Sequence, residues 1–383
     1  MPSYRLTDNV IDLVGAPSRI VIDGRIAPTR VLSELRYQLP NAFTKFIVDN
    51  AAGVRLRFRT SATRLELTGR VYRSAYVGTP PLPAVFELVE DGDVRATRQV
   101  EDGGIANIDH LENTTEYVDA GNTTVIFDGL PAKDRVVEIW LPNTASIELH
   151  EVISDAPIQR AEIADTVRWI HYGSSISHMT IPGGPTRTWP AMASRILGWD
   201  GTNLGFGGNA MLDPFAARTI RALPADIITL KLGINVVNYD AMTVRTFAPA
   251  VHGFLDTIRE TQPHTPIVVI SPIACPAVED RPGPTGVDAE FRVTAAEGEP
   301  AHGDDSLTLQ RIRRILEAIV ADRSPTDSAL VYLDGPELFS QADDIAGFTV
   351  DGIHPNLGGA ELIAQRFAKF ADQTFPQLAL SRP

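Results

Sequence analysis

The feature that most constrains how this chain folds is a change of hydropathy period near residue 160. Before that point apolar residues recur every second position, as in Arg55-Leu56-Arg57-Phe58-Arg59 and Arg64-Leu65-Glu66-Leu67-Thr68. That is the period of a strand with one face buried. Short apolar runs continue at 84–89, 124–127, 136–141 and 146–149, with turn signals at Asp91-Gly92, Asp102-Gly103 and Asp128-Gly129 between them. Many short strands with little helical period predict an all-β, jelly-roll-like sandwich over residues 1–160. After about residue 165 strand-like runs alternate with helical ones. Strands are expected at 167–172, 202–204, 227–232, 266–270 and 330–333. Helices are expected at 188–197, 214–221, 243–261, 306–321 and 357–372. The last carries Ile363, Phe367 and Phe370 on one face. Alternation of this kind requires right-handed crossovers, so residues 161–383 are expected to form an α/β domain, a flavodoxin-like doubly wound parallel sheet. Residues 276–305, rich in Pro, Gly and acids, have no clear period and read as a long loop, a lid or a plain surface insertion.

Ligands of open parallel sheets bind beyond the carboxyl ends of the strands. In this sequence those ends carry Gly173-Ser174-Ser175-Ile176-Ser177, Asn203-Leu204-Gly205-Phe206-Gly207-Gly208, Gly233-Ile234-Asn235 and, beyond the fifth strand, Asp351-Gly352-Ile353-His354-Pro355. A serine hydroxyl becomes a nucleophile when a base removes its proton, and histidine is the usual base. The histidine needs an acceptor on its other ring nitrogen, and the oxyanion formed on attack needs N–H donors. Asp351 and His354, three residues apart before a helix, suit one local turn. Glycines near Ser175 and at Gly208 allow backbone amides to approach a ligand, and Asn235 offers a side-chain amide.

In order and content these four segments resemble the sequence blocks of the SGNH (GDSL-like) hydrolase superfamily, over roughly residues 165–375. The resemblance implies Ser175 as nucleophile, Asp351 and His354 as its acid and base, and an oxyanion hole formed by Ser175, Gly208 and Asn235. Trp189-Pro190 at the start of a helix is also similar to family members, and Trp189 and His178 are secondary candidates for substrate contact. The sequence departs from the family pattern at Ser174, where the name-giving motif has Asp. The N-terminal half resembles the sandwich that precedes such domains in carbohydrate-esterase-like members. The α/β-hydrolase elbow does not fit, because Ser177 stands where that motif has its second glycine.

Charge and composition narrow the function. The formal net charge of −14 disfavours nucleic acid as a partner. A lone cysteine, Cys275, excludes an intrachain disulfide and a cysteine-built zinc site. No metal-ligand spacing or phosphate loop stands out, so no cofactor and no metal are expected. With no run of about 20 apolar residues and no signal-like N-terminus, a cytoplasmic protein that does not engage membranes is expected. Its partner would be a small-molecule acyl ester or thioester, and oligomeric state is not legible. The first functional reading is an esterase acting on O-acyl groups of a sugar, small glycoside or metabolite. The alternative is an O-acyltransferase that passes an acyl group from a thioester to a metabolite hydroxyl. A catalytically inactive carbohydrate-binding protein is the third.

Overall fold

The computed structural model describes residues 1–109, 112–162, 165–179 and 183–379. They divide into two compact units. One comprises Met1–Thr166 with Met179–Ala191 and Thr202–Leu204; the other holds Val167–His178, Met192–Gly201 and the chain from Gly205 onward.

The first unit is built on two mainly antiparallel sheets. One runs in the order 114–118, 104–109, 65–76, 145–154, 25–29, 18–22, and the other in the order 158–159, 55–60, 135–140, 84–90, 93–100. The alternation in the sequence is used as read. Leu56, Phe58, Val137 and Ile139 of one sheet share a buried core with Leu65, Leu67, Val71, Ile147 and Leu149 of the other. A single register shift between Leu149 and Glu151 lets the long 145–154 strand stay paired with 65–76. The all-β expectation misses one element: Ala42–Asp49 is an α-helix whose N-terminus is capped by Asn41, which accepts the Thr44 N–H at 2.8 Å. The later segments join this unit through specific bonds. The Thr186 N–H donates to Glu87 Oε2 at 2.9 Å, and the buried Arg30 guanidinium donates to the carbonyls of Asn50, Ile47 and Asn203. Burial lowers the Arg30 pKa to about 9.

The third sheet has five strands. Numbering its strands in chain order (168–173, 200–205, 227–231, 267–270, 330–333), the order across the sheet is 2-1-3-4-5. Strands 1 and 3, 3 and 4, and 4 and 5 pair in parallel. This is the doubly wound, flavodoxin-like order expected from the alternation. Strands 227–231 and 267–270 are buried at every position, the pattern of a sheet covered on both faces. Helices occupy Pro214–Ala222, Val244–Arg259, Leu309–Arg323 and Leu357–Thr374. The last sets Phe367 against Trp169, ring centroids 5.0 Å apart and nearly parallel.

Residues 276–305 are more ordered than a long loop. They hold two single-turn 3₁₀ segments and a hairpin of Thr285–Val287 with Val293–Ala295. The base of the insertion is tied down by Glu279, whose carboxylate receives the Arg313 guanidinium (2.9 Å for Nη2 to Oε1) while Arg313 also donates to the Pro272 and Ile273 carbonyls. Strands of three residues carry too weak a period to be read from sequence.

Candidate active site

Strand order reverses between strands 1 and 3, and the segments leaving those two strands supply the first site residues. Strand 168–173 ends at Gly173, and a four-residue helix, Ser175–His178, follows at once. The Ser177 and His178 N–H groups both donate to the Ser174 carbonyl at 3.0 Å, which closes this turn. Ser175 is the one partly exposed residue from 171 to 179. The tight turn presents its hydroxyl and hides its neighbours.

Ser175 Oγ lies 2.8 Å from His354 Nε2, although the two are 179 residues apart in the chain. His354 Nδ1 lies 2.6 Å from Asp351 Oδ2. The other carboxylate oxygen, Asp351 Oδ1, accepts the backbone N–H groups of Ile353 at 3.0 Å and His354 at 2.7 Å. Burial raises the Asp351 pKa, but the bond and charge of His354 and these two amides outweigh it and hold the carboxyl below its usual value. An ionised carboxylate only accepts hydrogen bonds, so a neutral His354 carries its proton on Nδ1. Nε2 is then the acceptor for the Ser175 hydroxyl. This is the tautomer a general base requires.

Asn235 begins to turn away from strand 227–231, within the short helix Ile234–Asn238. Its buried side chain accepts the Ala210 N–H through Oδ1 at 3.1 Å. That bond fixes which end of the amide faces Ala210 and leaves the NH₂ end to donate elsewhere. Gly233 before it has φ of +114°, and a Cβ there would stand 2.7 Å from Ile312 Cγ2, so this strand end admits glycine alone. The segment after strand 200–205 is anchored by the Phe206 N–H to the Gly173 carbonyl at 2.7 Å. A Cβ on Gly207 would stand 3.7 Å from Ser175 Cα and Cβ, and Gly208 takes a left-handed φ of +67°.

The secondary candidates are both buried. His178 is 0% exposed and receives the Gly207 N–H on Nδ1 at 3.4 Å. Trp189 is also 0% exposed, belongs to the first unit, and gives its backbone N–H to the Met179 sulfur. Cys275 is buried as well, its thiol pushed up to about 12. Among the described residues no group of three or more His, Cys, Asp or Glu converges as a metal site, and no helix is long and apolar enough to cross a membrane.

The model for the GDSL-like lipase/acylhydrolase family matches residues 171–362, half of the chain. The chain belongs to this family. All five principal site residues fall inside the match. The chain also resembles solved structures over most of its length. A salicylyl-acyltransferase, SsfX3, from a tetracycline biosynthetic pathway is 29% identical with a TM-score of 0.81, covering 98% of each chain. An acetyl xylan esterase, Est2A, from the rumen bacterium Butyrivibrio proteoclasticus is 10% identical with a TM-score of 0.59, covering 98% of this chain and all of that one. A family two carbohydrate esterase from Clostridium thermocellum is 11% identical with a TM-score of 0.59, covering 85% of this chain and 93% of that one. The two esterases share the fold. No curated protein sequence matches.

One group within the family domain escaped the sequence reading, and a second is a core histidine with both ring nitrogens bonded, as its place in the first strand suggests. Lys231, in a strand that reads as apolar, is 2% exposed with no hydrogen-bond partner for Nζ. Ser177 accompanies His171 in a buried relay: His171 Nε2 lies 2.7 Å from Ser177 Oγ, and its Nδ1 lies 2.7 Å from Thr229 Oγ1. Burial, with the Lys231 charge adding to it, holds the His171 pKa well below the usual range, so this histidine stays neutral.

Proposed function

We propose that the protein is a serine acyltransferase that works through an acyl-enzyme and passes the acyl group to a hydroxyl of a small molecule. The observation that carries the acyl-enzyme step is the line Ser175 Oγ to His354 Nε2 to Asp351, at 2.8 Å and 2.6 Å. Ser175 Oγ attacks the carbonyl carbon of an ester or thioester as its proton passes to His354 Nε2. Asp351 keeps the imidazole oriented and stabilises the imidazolium. The carbonyl electrons move onto oxygen, and the Ser175 and Gly208 N–H groups and the Asn235 amide receive that charge. Collapse of the intermediate expels the donor's thiol or alcohol, which takes the proton from His354. An acceptor hydroxyl then gives its proton to His354 and attacks the Ser175 ester; collapse of this second intermediate breaks the bond to Ser175 Oγ, which takes the proton back from His354, and the acylated acceptor leaves.

The choice of acceptor rests on the likeness to the salicylyl-acyltransferase, which spans both units and nearly all of each chain. It moves a hydroxyl acceptor ahead of water, the acceptor ranked first from sequence, and an aromatic acyl group becomes the first donor to try. Hydrolysis remains the second reading on one observation: the His354 side chain keeps 31% of its surface exposed, so water reaches the base.

The test is rapid-mixing release of nitrophenol from acetyl and salicylyl nitrophenyl esters. A burst followed by slow turnover, absent in Ser175→Ala and accelerated in its second phase by added hydroxyl compounds, is expected. Fast steady turnover that no alcohol accelerates would select hydrolysis. Full turnover by Ser175→Ala would overturn the acyl-enzyme.

A further inference from the structure

The insertion at residues 276–305 touches both sides of the catalytic apparatus within the second unit. On one side Gly283 lies so close to the Val237 carbonyl oxygen, in the short helix that begins with Ile234 and Asn235, that no Cβ fits there. Thr285 Oγ1 and His302 Nε2 approach the end of the same segment, 3.5 Å from the Asn238 carbonyl and 3.6 Å from Asp240 Oδ2. On the other side the hairpin meets the loop of Asp351 and His354. Val293 is bonded to the Asp351 backbone, and the Arg292 guanidinium lies against Gly352. A segment tied to both places borders the site and meets the part of a substrate that extends beyond the reacting carbonyl.

Arg292 is built to make such a contact. Its backbone is held twice by Asp288, whose side chain accepts the Arg292 N–H at 2.7 Å and whose own N–H donates to the Arg292 carbonyl at 2.9 Å. The direction in which the side chain leaves the hairpin is therefore fixed before a ligand arrives. Gly352 has a left-handed φ of +87°, and a Cβ there would stand 3.3 Å from Arg292 Nη2. The missing side chain lets the guanidinium lie close to the backbone between Asp351 and His354. Arg292 is nevertheless exposed, so a dissolved molecule reaches it.

Its charge is not spent within the protein. Arg36, Arg259, Arg313 and Arg366 each pair with a carboxylate. Around Arg292 the carboxylates are engaged elsewhere: Asp351 with His354 and two amides, and Asp288 with the Glu290 and Arg292 N–H groups. Glu290, two residues away, is exposed and makes no ion pair with it, and among the described residues no other acid does. The chain as a whole carries a formal net charge of −14, which repels anions. An unpaired guanidinium beside the loop of the base reverses that locally, and its planar fork of N–H donors matches a carboxylate or a phosphate.

We infer that Arg292 is a specificity-determining residue that binds an oxyanion carried by the substrate away from its reacting carbonyl. The anion is either a carboxylate at the far end of the acyl chain or a phosphate on the thiol leaving group, and the recognition chemistry is the same. The inference rests on the acyl-enzyme reading of Ser175 and adds to it the charge of the substrate.

Steady-state kinetics of the full-length enzyme with two matched pairs of substrates test it. One pair is mononitrophenyl adipate and nitrophenyl hexanoate; the other is butyryl phosphopantetheine and butyryl pantetheine. The quantity read is the ratio of kcat/KM, anionic over neutral, in the wild type, Arg292→Gln and Arg292→Lys. In at least one pair the ratio is expected to fall on the order of five- to tenfold in Arg292→Gln, and by less in Arg292→Lys, which keeps the charge. A fall in the adipate pair alone places the anion on the acyl chain. A fall in the phosphate pair alone places it on the leaving group, and a fall in both gives a site open to either. Ratios unchanged by Arg292→Gln in both pairs overturn the assignment. Turnover that survives Ser175→Ala would sink the acyl-enzyme instead, while the ratios would still report on Arg292, so the two readings fail separately.

Discussion

The backbone N–H of Val293 donates to the carbonyl oxygen of Asp351 at 2.8 Å. Val293 lies in the hairpin of the 276–305 insertion, and Asp351 lies in the loop that also holds His354. The insertion therefore braces the loop that holds Asp351 and His354 from outside the sheet. The hairpin tip is set by Asp288, whose carboxylate accepts the Glu290 and Arg292 N–H groups, with Phe291 beside it 77% exposed at a left-handed φ of +59°.

Replacing Val293 by proline removes the donor. A lost hydrogen bond of about 0.5–1.5 kcal/mol that acts on the position of the base should lower kcat by roughly two- to tenfold, with little change in thermal midpoint. Steady-state turnover of a nitrophenyl ester alongside calorimetric melting is the check. A lower midpoint with kcat intact would make the contact a brace for the hairpin alone.

Asp351→Asn keeps the size of the side chain and an oxygen for the Ile353 and His354 amides, but its NH₂ end competes with His354 Nδ1–H as a donor. The imidazole then loses its fixed tautomer. A fall in kcat on the order of 10⁴ with a nearly unchanged melting curve is expected. A loss of tenfold or less would remove Asp351 from the proton path.

How much of this was legible in the chain depends on length scale. The parallel strands announced themselves because Ile267–Ile270 is an unbroken β-branched run and Ile227–Leu230 is β-branched or apolar throughout. The helix Ala42–Asp49 hid because Phe43, Thr44, Phe46, Ile47 and Val48 are residues that strands favour equally. Asn41 was its one local signal. Ser175, Asp351, His354, Gly208 and Asn235 stood out through their order at strand ends. The bonds among them come from chain crossings that no short window contains: Ser175 and His354 meet across 179 residues, and Asn235 meets Ala210 across 25. Burial of Lys231 was invisible for the same reason, since a lysine at the end of an apolar run ordinarily reaches solvent.

Lys231 should make stability depend on pH. Burial, reinforced by the Arg313 charge, lowers its pKa to about 7. Below about pH 7 folded and unfolded chains both carry the proton, and the folded state bears the whole cost of a buried ammonium. Between about 7 and ~10.4 the unfolded chain binds more protons, so this group's contribution to stability rises with pH. Lys231→Met should therefore raise the melting temperature most at pH 6, by up to about 5 kcal/mol of stability, and progressively less towards pH 10. Melting at both values decides it. An equal gain at each would mean that the effect is one of packing.

Asn235 has two ends with two duties, and a pair of substitutions separates them. Asn235→Ala removes the NH₂ donor and also strands the buried Ala210 N–H, which costs about 1–3 kcal/mol of stability. Asn235→Asp keeps an acceptor for Ala210 but replaces the donor with a carboxylate oxygen that repels developing negative charge. If the NH₂ group meets the oxyanion, Asn235→Ala should lose 10² to 10³ in kcat, on the order expected for one donor. Asn235→Asp should lose at least as much. A purely structural Asn235 predicts the reverse order of activity, with the aspartate variant nearer the wild type because the Ala210 bond survives. Single-turnover acylation by a nitrophenyl ester, measured on both variants, distinguishes the two orders.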